Sequence, residues 1–200
     1  MTKWISILVF LLLFNSACKQ ITETTIESTF DFPLSVGSTW TYATYDSVSL
    51  ARDTVEVTII GTTPLSNGAP ATLWKYKYIS RAETLVVARS SDTVVFSSYT
   101  HAPVFVFPLK VGNAWGRQYV DTFTVTSQRL ISLPSQLGAI IAYTAFIVDQ
   151  QSLLPNDFSH FQYWVVPKIG IVRQFQAKFI TLELTRTNTS WILLSYSISE

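Results

Sequence analysis

Through most of this chain apolar side chains return at every second position, the period that a half-buried β-strand imposes because successive side chains point to opposite faces. In Thr54-Val55-Glu56-Val57-Thr58-Ile59, the residues Val55, Val57 and Ile59 share a face. From Leu73 to Tyr78, Trp74, Tyr76 and Tyr78 face one way and Lys75 and Lys77 the other. Phe123 and Val125 alternate with threonines between Asp121 and Thr126, and Ile192, Leu194, Tyr196 and Ile198 read as one face of the last strand. Thr, Val, Ile, Tyr, Phe and Trp dominate these runs, as pleated half-buried surfaces favour. No stretch keeps a 3.6-residue apolar period between helix caps, so little helix is expected beyond a turn near 152–160.

Turn chemistry separates the runs. Ser66-Asn67-Gly68 is the strongest signal, followed by Ser90-Ser91-Asp92, Leu133-Pro134-Ser135 and Leu154-Pro155-Asn156-Asp157. Connections this short join antiparallel neighbours, because a parallel pair needs a crossover. The expected strands are 38–46, 52–61, 71–80, 83–90, 92–99, 115–131, 139–150, 160–166, 170–186 and 190–198. A sheet of about ten twisted strands must curl, close or fold over to cover its apolar face. The expected class is therefore all-β, a curled antiparallel sheet or barrel-like sandwich with little helix.

An internal repeat lies over this pattern. Phe32-Pro33-Leu34-Ser35-Val36-Gly37-Ser38-Thr39-Trp40 returns 75 residues later as Phe107-Pro108-Leu109-Lys110-Val111-Gly112-Asn113-Ala114-Trp115, with six identities. Pro33 and Pro108 fix φ, Gly37 and Gly112 permit a positive-φ turn, and Trp40 and Trp115 can open a strand and cover that turn. Both copies read as structural corners. A looser version, Val166-Pro167-Lys168-Ile169-Gly170, lacks the Phe and Trp. Residues 30–200 are expected to form a single domain, with 30–105 and 106–200 as two related halves.

The N-terminus differs in kind. Lys3 precedes a ten-residue apolar run, Ile5 to Phe14, then Asn15, Ser16, Ala17 and Cys18, the chain's one cysteine. A spanning helix needs about 20 apolar residues, so the run reads as a signal peptide over 1–17. Asn15-Ser16-Ala17-Cys18 resembles a lipobox, with Asn15 departing from its usual aliphatic residue; the alternative is a chance cysteine beside a conventional cleavage site. Acylation of Cys18 implies a bilayer anchor, each buried CH₂ contributing about 0.8 kcal/mol. It also leaves no thiol for disulfides, zinc clusters or thiolate catalysis. Residues 19–29 are polar and aperiodic, a tether that with Cys18 spans 18–29.

The chain carries 14 basic and 13 acidic side chains, and loss of Lys3 with residues 1–17 leaves 13 of each. Nucleic acid is excluded as a partner, since phosphate neutralisation needs clustered Lys and Arg. His101 and His160, with Asp92, Asp149 or Asp157 and the nearby Ser152 and Ser159, are the available parts for a hydrolase, but no G-x-S-x-G elbow accompanies them. Asn156, Asp157 and His160 could hold calcium or zinc weakly but read better as a turn, since no E-x-x-H, H-x-H or EF-hand spacing is present, and no cofactor or paired-carboxylate signature is found. The aromatics Trp40, Trp74, Trp115, Trp164 and Trp191, with Tyr76, Tyr78 and Tyr163, either fill the core or line a groove. Trp74, Tyr76, Tyr78, Tyr163 and Trp164 are the candidate ligand contacts.

The Pro-Leu-x-Val-Gly-x-x-Trp-x-Tyr segment after a lipoprotein cysteine, together with Tyr163 to Arg173, resembles a loose group of uncharacterised bacterial envelope lipoproteins. The resemblance covers 32–42 and 163–173 and implies an all-β envelope domain, with no catalytic residue to carry over. The expected function is a lipid-anchored, non-enzymatic domain of the cell envelope, on the outer membrane by preference because Lys19 is not an inner-membrane retention Asp. It would bind an apolar ligand or a partner protein. The alternatives are a structural or assembly accessory lipoprotein without a pocket, and a hydrolase using His101 or His160.

Overall fold

The computed structural model describes residues 32–97, 101–136, 138–180 and 185–199. The leader, Cys18 and the tether lie outside the described residues. The described chain is all-β. Its strands are β1 (Thr39–Asp46), β2 (Arg52–Pro64), β3 (Pro70–Lys77), β4 (Ala82–Ser90), β5 (Thr93–Ser97), β6 (Val104–Val106), β7 (Ala114–Arg117), β8 (Asp121–Pro134), β9 (Ile140–Ser152), β10 (His160–Val166), β11 (Gly170–Ile180) and β12 (Thr185–Ser197). They form one 12-stranded antiparallel sheet in the order β6-β5-β4-β3-β2-β1-β12-β11-β10-β9-β8-β7. It is a meander from β1 to β6 and another from β7 to β12, joined where β1 pairs with β12.

The sheet curls until its two edges approach. Trp115 on β7 donates Nε1–H to the Val104 carbonyl on β6 at 2.9 Å, bridging the two edge strands. Both edges are short, three residues in β6 and four in β7, which limits the open backbone available for unwanted pairing. The two strands beyond the expected ten are these edges. β6 is too brief to show a period, and β7 is cut from β8 by a turn at Arg117–Val120 in which Tyr119 has φ +61°.

The repeated corners share a hydrogen-bonding scheme. In the first, Ser38 N–H bonds the Ser35 carbonyl (3.2 Å), Gly37 N–H bonds Ile59 O (2.8 Å) and Ile59 N–H bonds Ser38 O (3.0 Å). In the second, Asn113, Gly112 and Val125 repeat these bonds to Lys110 O, Val125 O and Asn113 O at 3.0, 2.9 and 2.9 Å. Gly37 and Gly112 have φ +93° and +91°, a region in which a Cβ is strained. Each corner meets its partner strand at a β-bulge, Ile59/Gly61 in β2 and Val125/Ser127 in β8. The looser third version is the β10–β11 hairpin turn, with Ile169 N–H on Val166 O at 3.1 Å.

Inside the curl, Phe32 packs against Trp74, Phe105 and Phe107 with centroids 6.1, 5.8 and 6.1 Å away. Trp40 stacks on Trp74 at 4.9 Å and 12° and donates its buried indole N–H to Ile169 O at 2.7 Å. Val55, Val57, Ile59, Phe123 and Val125 are buried as their alternation requires.

β12 departs from the expected single face. Trp191 and Leu193 point inward, opposite Thr44 and Tyr42, whereas Ile192 and Leu194 are exposed. A bulge opposite Thr41/Tyr42 then shifts the register, so that Tyr196 lies opposite Trp40 on the inner side. An extra residue in a strand exchanges inside for outside from that point on.

The β7–β8 hairpin yields a test. A Cβ on Gly116 would stand 2.7 Å from the Asp121 carbonyl oxygen, a backbone atom that can move only with the strand. Gly116→Ala is expected to cost about 1–3 kcal/mol in urea unfolding. An unchanged midpoint would show that this hairpin is looser than its geometry implies.

Candidate functional site

Two groups of polar side chains face the interior. The first is enclosed. Arg117 engages Asp121 through both guanidinium and carboxylate, with Nε to Oδ1 at 2.9 Å, and Asp121 has no exposed surface. Gln150 is also fully buried; its Nε2 donates to Asp121 Oδ2 (2.6 Å) and His101 O (3.2 Å), and its Oε1 accepts the Tyr163 hydroxyl (2.9 Å). His101 Nε2 meets Asp157 Oδ2 at 2.6 Å, and the ring packs on Phe161 at 5.5 Å. Burial raises the Asp157 carboxyl pKa, but hydrogen bonds from Ser159 and His101 outweigh it and hold the group below its ordinary value.

This network joins β7, β8, β9 and β10 to the segment before β6. His101 Nδ1 has no hydrogen-bond partner among the described residues. Asp157 Oδ1 also accepts the backbone N–H of Ser159 at 2.9 Å, so the contact that ties Ser159 to this pair runs through its main chain. His160 is half-exposed, with Nε2 3.6 Å from Asp149 Oδ1, and Asp149 also accepts Gln162 Nε2 at 2.9 Å. Among the described residues no three His, Cys, Asp or Glu side chains converge as a metal site would require.

The second group is open to solvent. At the end of the curl where β1 and β3 finish and β12 begins, a cleft of about 410 Å³ lies between β1–β5 on one side and β11–β12 on the other. Its aromatic lining is Tyr76, Tyr78, Phe96 and Trp191, with the Trp191 ring edge-on to Tyr42, Tyr76 and Tyr78 at 5.8, 6.5 and 6.1 Å. Asp53, Arg81, Glu83, Gln174, Gln176 and Lys178 supply the polar lining. Tyr78 donates its hydroxyl to Glu83 at 2.8 Å beneath the Arg81 guanidinium, which stands 4.4 Å from the ring centroid. Burial and then Glu83 push the Tyr78 pKa up, so it remains a hydroxyl donor. Burial does the same for Tyr42, which donates to Ile171 O at 2.6 Å.

Beneath the cleft is a void of about 20 Å³ between Trp40, Trp74, Gln174 and Trp191. Trp191 borders both spaces, and its buried Nε1–H has no acceptor among the described residues. Leaving such a donor unsatisfied costs about 1–3 kcal/mol, and such exceptions are uncommon in native structures.

The five aromatics singled out from the sequence fall in three places. Tyr76 and Tyr78 line the cleft, Trp74 and Tyr163 belong to the core, and Trp164 lies on the outer face beneath Arg129 and Arg173, 5.9 and 5.3 Å from its centroid. The repeat residues Pro33, Gly37, Trp40, Pro108, Gly112 and Trp115 stand at the corners and do not line the cleft, although Trp40 borders the void beneath it. Gln174 and Gln176 went unnoticed in the sequence, although two polar residues at i and i+2 share one face of a strand, here the face turned to the cleft.

No known protein family matches the chain, and no curated protein matches it. Among solved structures it is similar to a candidate lipoprotein from Parabacteroides distasonis ATCC 8503, at 13% identity over 86% of this chain and 100% of that chain, with a TM-score of 0.42. It is also similar to a candidate exported protein with a YmcC-like fold from Bacteroides fragilis NCTC 9343, at 13% identity over 84% of this chain and 99% of that one, with a TM-score of 0.50. At 13% identity the likeness to the Bacteroides fragilis protein speaks to the fold alone.

Proposed function

We propose that this chain is an envelope lipoprotein, tethered through an acylated Cys18, whose curled sheet binds a ligand in its open end without catalysing a reaction. The cleft carries this reading: about 410 Å³ falls within the range of about 300–1,000 Å³ typical of small-ligand sites, and barrel mouths are a recurrent place for them. Its lining mixes rings with amides and charges, so the occupant is amphipathic rather than wholly apolar. The leader-like segment before Cys18 supports export, and the Bacteroides fragilis protein that shares the fold is itself described as exported. The outer membrane is the proposed destination.

Two measurements test the two parts separately. Cys18→Ala should abolish fatty-acid labelling and release the domain from membranes; full membrane retention would refute acyl anchoring. In the full chain, the neutral dye N-phenyl-1-naphthylamine should bind with enhanced fluorescence, and Thr189→Trp, which fills the cleft from β12, should eliminate that binding while leaving the urea midpoint in place. Undiminished dye binding by the Thr189 variant would refute the cleft as the site.

A further inference from the structure

We infer that the ligand of the cleft is a neutral saccharide, an inference that rests on the cleft being a binding site. The charged groups around it are balanced, Asp53 and Glu83 against Arg81 and Lys178. They are also engaged already. Asp53 Oδ1 accepts the backbone N–H groups of Thr54 (2.6 Å) and Ile79 (3.2 Å), Glu83 accepts the Tyr78 hydroxyl, and Arg81 covers the Tyr78 ring. The Lys178 ammonium lies 5.8 Å from the Phe161 centroid. With two charges of each sign, the cleft presents no net charge that would favour an ionic ligand.

The remaining binding capacity is neutral and directional. Gln174 and Gln176 project from the same face of β11, opposite Trp191 and Thr189 of β12, and neither amide bonds the protein among the described residues. A glutamine amide presents two donors and an acceptor in one plane, which suits adjacent ring hydroxyls that must donate and accept together. The rings of Tyr76, Tyr78 and Trp191 provide apolar surface for the C–H face of a sugar. The unsatisfied Trp191 Nε1–H is a further donor at the floor.

Other occupants fit less well. A fatty chain would strip water from both amides and return no hydrogen bond. A peptide is recognised best by strand addition, yet β1, β2, β3, β11 and β12, which form most of the wall, are paired on both sides.

The test is calorimetric titration of the full chain with maltohexaose, cellohexaose and chitohexaose, against oligogalacturonate and decanoate, with displacement of N-phenyl-1-naphthylamine followed in parallel. At least one neutral oligosaccharide should bind and displace the dye, and Gln174→Ala with Gln176→Ala should weaken it by about tenfold or more at an unchanged urea midpoint. Sugar binding that ignores these substitutions would overturn its placement in the cleft. Dye binding sensitive to Thr189→Trp but displaced only by decanoate or oligogalacturonate, or by none of the five, would overturn the saccharide assignment and leave the cleft standing. Absence of both dye and sugar binding in the unsubstituted chain would remove the cleft reading itself.

Discussion

Trp40→Ala is expected to lower the unfolding free energy by about 3–5 kcal/mol, the range for truncating a fully buried Trp or Phe. For a domain of roughly 150–250 residues each kcal/mol moves Tm by about 2–4 °C, so the shift is about 6–20 °C. Trp40 is 1% exposed, stacks on Trp74 and ties β1 to the β10–β11 turn through Ile169 O, a contact 129 residues away in sequence. Its loss opens a cavity and also leaves the Ile169 carbonyl without that donor. Trp115, its counterpart in the repeat, is half-buried and bridges two edge strands, so Trp115→Ala should cost less. Urea denaturation of both variants checks the order. A Trp40→Ala protein within about 1 kcal/mol of the parent would mean that the site collapses around the missing ring.

The second large effect is expected at the enclosed ion pair. Arg117→Ala leaves the Asp121 carboxylate, 0% exposed, with the Gln150 amide as its remaining side-chain donor among the described residues, and breaking a buried pair from one side costs about 3–5 kcal/mol. Removing both partners should cost less than the sum of the single substitutions, because the double variant buries no lone charge. Arg117→Lys should recover only part of the loss, since an ammonium cannot reproduce the two-point contact through Nε and the terminal nitrogen. A double-mutant cycle in urea measures the coupling directly. Additive single effects would show that water reaches Asp121 and that the network is not closed.

Part of this architecture was legible from residue types. The turns at Gly68, Ser91, Gly138 and Asn156 all adopt positive φ, in or beside segments where Gly, Asn, Ser or Pro punctuate the sequence. The turn at Tyr119, Arg117-Gln118-Tyr119-Val120, contains no Gly, Asn, Ser or Pro of its own, which is why β7 and β8 read as one strand. The site was less legible than the fold. An aromatic on an inward face looks the same whether the space before it is filled, as at Trp74, or empty, as at Tyr78.

The two-residue period, the turn residues and the repeated corner, all local properties of the chain, determined by themselves that this is an antiparallel β-protein with matching corners at Gly37 and Gly112. Three things were left to the tertiary structure: which side of β12 is enclosed, how near the edges β6 and β7 come, and that one end of the curl stays open between Tyr78 and Gln176. The reason is geometric. Alternation defines two faces, whereas a single bulge exchanges them, and the summed twist and curl of twelve strands decide what each face meets.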